Sequence, residues 1–182
     1  MIIGKRIRLR AIRREDLPLF VEWLNDPEVR MGLMHYHPFS DEDEENWYEG
    51  MRKNPLEEHP LTIEIKGGDE WTPIGNCGLM GINWRVREAE FGIFIGQKQN
   101  WNKGYGTEAL MLMLKHAFQT LNLNRFSLRV YANNPRAMRS YEKAGFVHEG
   151  TLRQGHFHDG EYIDVHLMSI LRSEWCEKFD QS

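Results

Sequence analysis

Between Ala89 and Asn122 the chain changes character three times, and the order of those changes restricts the fold it can adopt. Ala89-Glu90-Phe91-Gly92-Ile93-Phe94-Ile95-Gly96 is an apolar extended run, Gln97 to Trp101 a polar turn, and Asn102-Lys103-Gly104-Tyr105-Gly106 a glycine-punctuated loop. Leu110, Met113, Leu114, Ala117, Phe118 and Leu121 then recur at helical spacing, so an amphipathic helix starts right after Gly106 and ends near Asn122. A helix start leaves backbone N–H groups unpartnered and carries the positive end of the macrodipole. Gly104 and Gly106 let that backbone close in on an anion, and Lys103 adds a full charge. Strand, phosphate cradle and buried helix thus arrive in the order an anion site needs. The pattern is neither a P-loop nor a three-glycine dinucleotide fingerprint. Glycines that merely end a strand are the alternative.

The length of 182 residues predicts a single domain covering residues 1–182. A hydrophobic fraction of 41% suits a globular chain with a core, and a net charge of -4 argues against a nucleic-acid partner. The N-terminus reads as neither a signal peptide nor a membrane span, so no membrane partner is expected. Cys77 and Cys176 lie far apart, which fits a reducing cytoplasm rather than a disulfide framework.

Along the chain, Ile7, Leu9 and Ala11 alternate with Arg6, Arg8 and Arg10 as a strand with one buried face. Asp16 precedes a helix carrying Leu19, Phe20, Trp23 and Leu24, stopped by Asn25-Asp26-Pro27, and Glu28 to Phe39 reads as an irregular connection. Ser40 is the expected N-cap of a second helix whose first turn holds the acidic run Asp41 to Glu45. That run is either a solvated helix start or a rim that attracts a cationic amine. Leu61 to Ile65 and Ile74 to Ile82 read as strands, with a turn at Gly67-Gly68-Asp69 and loosening glycines at 75, 78 and 81. Phe126, Leu128 and Val130 mark another strand. Asn134 as N-cap, Pro135 at N1 and Gly145 as stop bound a helix. Phe146–Gly155 and Tyr162–Leu171 form a hairpin turning at Asp159-Gly160. The order β-α-α-β-β-β-α-β-α-β-β describes a mixed α/β fold with a central twisted sheet flanked by helices. Two strand-to-helix joints, at Gly104 and Asn134, would share one end of a parallel strand pair, where open α/β sheets bind ligands.

These residues resemble the GNAT superfamily of acetyl-CoA-dependent N-acetyltransferases, in the branch of the ribosomal-protein N-terminal and spermidine acetyltransferases. The family motif Gln/Arg-x-x-Gly-x-Gly/Ala stands here as Trp101-Asn102-Lys103-Gly104-Tyr105-Gly106, departing only at its first position. A second motif stands as Asn134-Pro135-Arg136-Ala137 followed by Tyr141-Glu142-Lys143-Ala144-Gly145-Phe146. The resemblance implies acetyl-CoA as co-substrate. Ile93, Phe94 and Ile95 would offer strand backbone to its pantetheine arm. Trp101, Asn102, Lys103, Gly104, Tyr105, Gly106 and Thr107 would wrap the pyrophosphate, and Asn134 would hydrogen-bond the pantetheine region. Tyr141 would protonate the departing thiolate as general acid. Read singly, Asn134 is also a plain N-cap and Tyr141 a core residue.

The implied reaction is direct attack of a neutral amine on the thioester, which requires a base. Glu90 leads the organising strand and is the first candidate, with a surface salt bridge as its rival account; Glu28 is the second. His35-x-His37 and His156-x-His158 could each present two rings on one face, but no cysteine or carboxylate set completes a metal site, so no metal is expected. The resemblance leaves three amines open: a polyamine such as spermidine, a protein N-terminus, or an aminoglycoside or amino sugar. A non-catalytic acyl-CoA sensor would keep the glycines and Asn134 but would not need Tyr141. A homodimer or larger homo-oligomer is expected from the habits of relatives and from exposed hairpin edges.

Overall fold

The computed structural model describes every residue except Met34, Asp69 and residues 180–182. Two compact units divide the chain, residues 1–79 with 92–112, and residues 80–91 with 113–182.

In the first unit the alternation at the N-terminus forms β2 (Ile7–Ala11), with Ile7 and Leu9 wholly buried. A short β1 (Ile2–Ile3) pairs antiparallel with β2. On the other side β2 pairs antiparallel with β3 (Leu61–Gly67), from Ile7↔Ile65 to Ala11↔Leu61. β3 pairs antiparallel with β4 (Glu70–Asn83), which is longer than the sequence suggested. Its glycines do not loosen it: a Cβ on Gly75 would stand 2.1 Å from the Phe94 carbonyl oxygen, so only glycine permits this close approach. Gly68 turns the chain before β4 with φ +65°; the Asp69 part of the expected turn lies outside the described residues.

The first helix, α1 (Leu17–Asn25), buries Leu17, Phe20, Trp23 and Leu24 and stops where expected. Pro27, however, does not open a loop. With Asp26 as N-cap, accepting the Glu28 N–H at 2.9 Å, it starts the short α2 (Pro27–Arg30), because a first-turn proline costs no hydrogen bond. Ser40 caps α3 (Asp41–Met51), accepting the Asp43 N–H at 3.1 Å while the Asp43 carboxylate accepts the Ser40 N–H at 2.9 Å.

β2 also departs from a simple one-faced strand. Arg10 is 6% exposed, and its guanidinium donates to both carboxylate oxygens of Asp16, at 2.7 and 2.8 Å, and to Glu64 at 2.7 Å. The other Glu64 oxygen takes Arg8 at 2.5 Å, and the Arg13 N–H and Thr62 hydroxyl also reach Asp16. Burial alone would lift the Asp16 carboxyl, but the guanidinium and the Arg13 N–H outweigh it and hold the group below its ordinary range.

The second unit starts from the first part of β5 (Glu88–Ile95), paired parallel with β6 (Arg125–Tyr131) from Glu88↔Arg125 to Glu90↔Ser127. β8 (Glu161–Leu171) lies antiparallel to β6, and β7 (Val147–His158) antiparallel to β8. Asp159 and Gly160 both have positive φ, as a two-residue hairpin turn with strand-like twist demands. The glycine-loop helix, α4 (Tyr105–Lys115), starts in the first unit and continues as a π-helix over His116–Thr120, close to the predicted end. α5 (Pro135–Lys143) has the predicted Asn134 cap, and Gly145 follows it at φ +95°. A C-terminal helix, α6 (Arg172–Phe179), was not foreseen; it buries Trp175 5.6 Å from the Phe118 ring. The strand order is β1-β2-β3-β4-β5-β6-β8-β7, a mixed α/β sheet in which β5–β6 is the parallel pair and the other registered pairs are antiparallel.

Asp16→Asn removes one anion and leaves Arg10 buried with half its charge unmatched, which costs about 3–5 kcal/mol. Urea denaturation near pH 7 measures the loss. Because the folded carboxyl titrates below its unfolded counterpart, the wild-type contribution is complete above about pH 4 and fades only as pH falls through the lower, folded value.

Candidate functional site

The loop that the sequence singled out is held from both ends within the first unit. Lys98–Asn100 forms a turn of 3-10 helix, and the Trp101 indole N–H donates to the Ile95 carbonyl at 2.8 Å. One of the strand groups expected to serve a ligand is therefore engaged by the loop itself. Asn102 has φ +61° and Gly104 φ +83°, so the chain passes through two left-handed residues before α4 begins at Tyr105. At Gly106 a Cβ would meet only the tips of Ile93 and Ile95, at 3.9 Å. The fold does not itself require glycine there.

Arg6, which sequence reasoning passed over, clamps this loop. Its guanidinium donates to the Lys103 carbonyl at 2.9 Å and to Glu108 at 2.8 Å, and it lies over the Tyr105 ring at 4.9 Å. Nothing local in the sequence announces a contact between residues 102 positions apart. Lys103 is exposed, and Thr107 and Tyr105 are half-buried on the first turn of α4. Ile93, Phe94 and Ile95 are half-buried, and Phe94 also packs edge-on against Trp23 at 6.3 Å.

The acidic run proves to have three different fates. Asp41, Glu42 and Asp43 are exposed, Asp43 in the capping box, while Glu45 pairs with Arg14. Glu44 is 3% exposed, and burial pushes its carboxyl up to about 7. Glu28 pairs with Lys98, which also holds Asp26 at 2.7 Å. This second base candidate is therefore already engaged.

In the second unit Glu90 forms an ion pair with Arg129 at 3.2 Å, both partners being at least a third exposed. The salt-bridge account of Glu90 thus describes its contact. Asn134 caps α5 through Oδ1, which accepts the Ala137 N–H at 3.1 Å. Tyr141 sits on α5 with its ring 5.8 Å from Phe146, and burial pushes its hydroxyl up to about 12. It stays protonated throughout the neutral range.

Among the described residues no group of three or more His, Cys, Asp and Glu side chains could hold a metal ion. The sequence pairs His35-x-His37 and His156-x-His158 make different contacts: His35 meets Phe39, His37 meets Tyr36, and His156 stacks on Tyr131. Among the described residues no helix is long and apolar enough to cross a membrane.

A strand, a left-handed glycine turn and a helix N-terminus with room for an approaching anion define a class: proteins that grip a phosphate-bearing ligand by main-chain amides. The family follows from comparison. The model of the acetyltransferase (GNAT) domain matches residues 6–147, and the chain belongs to that family of acetyl-CoA-dependent N-acetyltransferases. It is 33% identical over 178 residues to a spermidine N(1)-acetyltransferase of Vibrio cholerae, covering 97% of this chain and 99% of that one. An N-acetyltransferase of Bacillus licheniformis is 30% identical over 175 residues, 94% of this chain and 96% of its own. The crystal structure of the spermidine N-acetyltransferase from Vibrio cholerae in complex with CoA and spermine superposes with a TM-score of 0.86 at 30% identity, over 94% of this chain and 99% of that one.

Two pairs of outcomes check this description. Gly104→Ala forces a left-handed Cβ and costs roughly 1–2 kcal/mol, whereas Gly106→Ala, inside α4, leaves stability unchanged or raises it by up to about 1 kcal/mol. Denaturant titration separates the two. Glu44→Gln is stabilising above pH 7, by roughly 3 kcal/mol at most, and neutral near pH 4. The sign follows from a folded pKa above the unfolded one: the charged carboxylate is resisted by the fold as pH rises from about 4.5 to about 7.

Proposed function

We propose that the chain, acting as one catalytic domain over residues 1–182, moves the acetyl group of acetyl-CoA to a primary amine of a polyamine such as spermidine. The observation that carries this is the GNAT loop itself: a left-handed Gly104, followed by a Gly106 that the fold leaves open for a close ligand. The polyamine reading is supported by the relatives named for spermidine, one of them solved with CoA and spermine.

On this reading Trp101 to Thr107 hold the pyrophosphate with main-chain amides and Lys103, the backbone of Ile93 to Ile95 pairs with the pantetheine arm, and Asn134 Nδ2 donates to it. The amine attacks the thioester carbonyl directly, and Tyr141 protonates the leaving sulfur. A phenol raised to about 12 is a weaker acid than usual, so it helps through a strong hydrogen bond that completes proton transfer only as the C–S bond breaks. Exposed Val147, Leu152, Phe157 and Tyr162 on the β7–β8 hairpin favour self-association into a homo-oligomer. Both cysteines are thiols, as a cytoplasmic enzyme requires.

Tyr141→Phe lowers kcat about 10²–10⁴-fold while calorimetry finds acetyl-CoA affinity unchanged. Thiol release from acetyl-CoA, measured across spermidine, aminoglycosides and short peptides, is fastest with spermidine. Release with none of them, alongside tight coenzyme A binding, identifies a sensor instead.

A further inference from the structure

β7 is irregular at two places, the first between His148 and Gly150 and the second further along the strand. Its register against β8 shifts between Leu152, opposite Val165, and His156, opposite Ile163. Within that bulge Gln154 has φ +54°, a conformation that costs a non-glycine residue free energy, and its N–H is pinned to Asp164 Oδ1 at 2.7 Å. Gly155 completes the bulge where a Cβ would stand 3.0 Å from Leu152 Cβ and 3.1 Å from Val165 Cγ2. Bulges re-aim the side chain that follows. Here that side chain is His156, whose ring stacks on Tyr131 at 4.2 Å and 12°. Tyr131 is the last residue of β6. Its carbonyl accepts the Asn134 N–H at 2.9 Å, and the Asp164 carbonyl accepts the Ala132 N–H at 3.0 Å. The bulge and the β6–α5 joint are thus built on the same aspartate, and the ring is held at the carboxyl end of β6, where this class of sheet binds its ligands.

His156 Nε2 is buried and has no hydrogen-bond partner. A buried imidazole nitrogen left unsatisfied is unfavourable by about 1–3 kcal/mol, and a strained bulge positions it. We propose that His156 Nε2 is the base that takes the proton from the amine substrate before attack. This rests on the acetyl-transfer reading above. The ammonium gives one proton to Nε2, and its freed lone pair forms the C–N bond as the C–S bond breaks. Tyr141 gives its hydroxyl proton to sulfur and regains one from the newly acylated nitrogen. The imidazolium proton leaves to solvent, so one amide, one thiol and one proton are formed.

Charge around the ring agrees with the role. Burial, and then the neighbouring His158, hold His156 below the ordinary histidine value, so it is a neutral acceptor at pH 7. The groups facing it are His158 on its own strand, with ring centroids 6.0 Å apart, and Tyr131 from β6; Asp159 pairs with His158 at 3.3 Å. Beyond Tyr131 lies the Glu90–Arg129 pair. Glu90 already holds a cation.

The test is steady-state acetylation of spermidine by the full chain, as a function of pH. Wild type loses kcat/KM as pH falls through a limb below about 6.5. His156→Phe, which keeps the stacking on Tyr131, lowers kcat/KM about 10²–10⁴-fold and abolishes the limb, while coenzyme A affinity and urea stability hold. His158→Asn retains the limb. Imidazole added to His156→Ala restores part of the rate if Nε2 is the acceptor. A His156→Phe enzyme with wild-type rate and limb overturns the base assignment and leaves acetyl transfer standing. A wild type that releases no thiol with any amine overturns both.

Discussion

A positive charge buried inside the first unit sets the terms for everything packed around it. Arg10 cannot shed its proton, and at 6% exposure it cannot borrow water either. Its guanidinium is therefore met by Asp16 from the approach to α1, by Glu64 from β3 and by the Ala11 carbonyl, with Thr62 at 3.4 Å. A guanidinium held by fixed counterparts adds to the register that the buried face of β2 already specifies. The ladder β2–β3 and the entry to α1 are thus specified together, and α1 carries Trp23, against which Gly96 at the end of β5 fits with no space for a Cβ. The path from a buried ion pair to the strand that opens the ligand loop is a short one.

What the sequence made legible was local. Asn134-Pro135 and Gly145 each state a backbone requirement in one or two residues, and α5 begins and ends on them. Asp159-Gly160 does the same for the hairpin. The errors share a cause. Pro27 was read as a stop, though the same residue is at home at the first position of a helix, and only the Asp26 cap decides between the two. α6 escaped notice because it buries a single residue, Trp175, and so shows no periodic apolar stripe. The acidic run looked uniform, yet packing withdrew Glu44 and left its neighbours in water.

The chemical groups were legible in the same uneven way. Tyr141 and the two glycines stood out because they fall in spaced motifs. His156 stood out only as half of a His-x-His pair, since its place beside Tyr131 depends on a bulge that no alternation pattern records. Glu90, the carboxylate on the organising strand, pairs with Arg129 on the adjacent strand.

The indole bond from Trp101 to the Ile95 carbonyl has a consequence for how a ligand arrives. Arg6 fastens the other side through the Lys103 carbonyl, so the loop is tied at both ends before any ligand arrives. A nucleotide docking onto such a surface immobilises little that was not already immobile, so little of its contact energy is lost to ordering the protein.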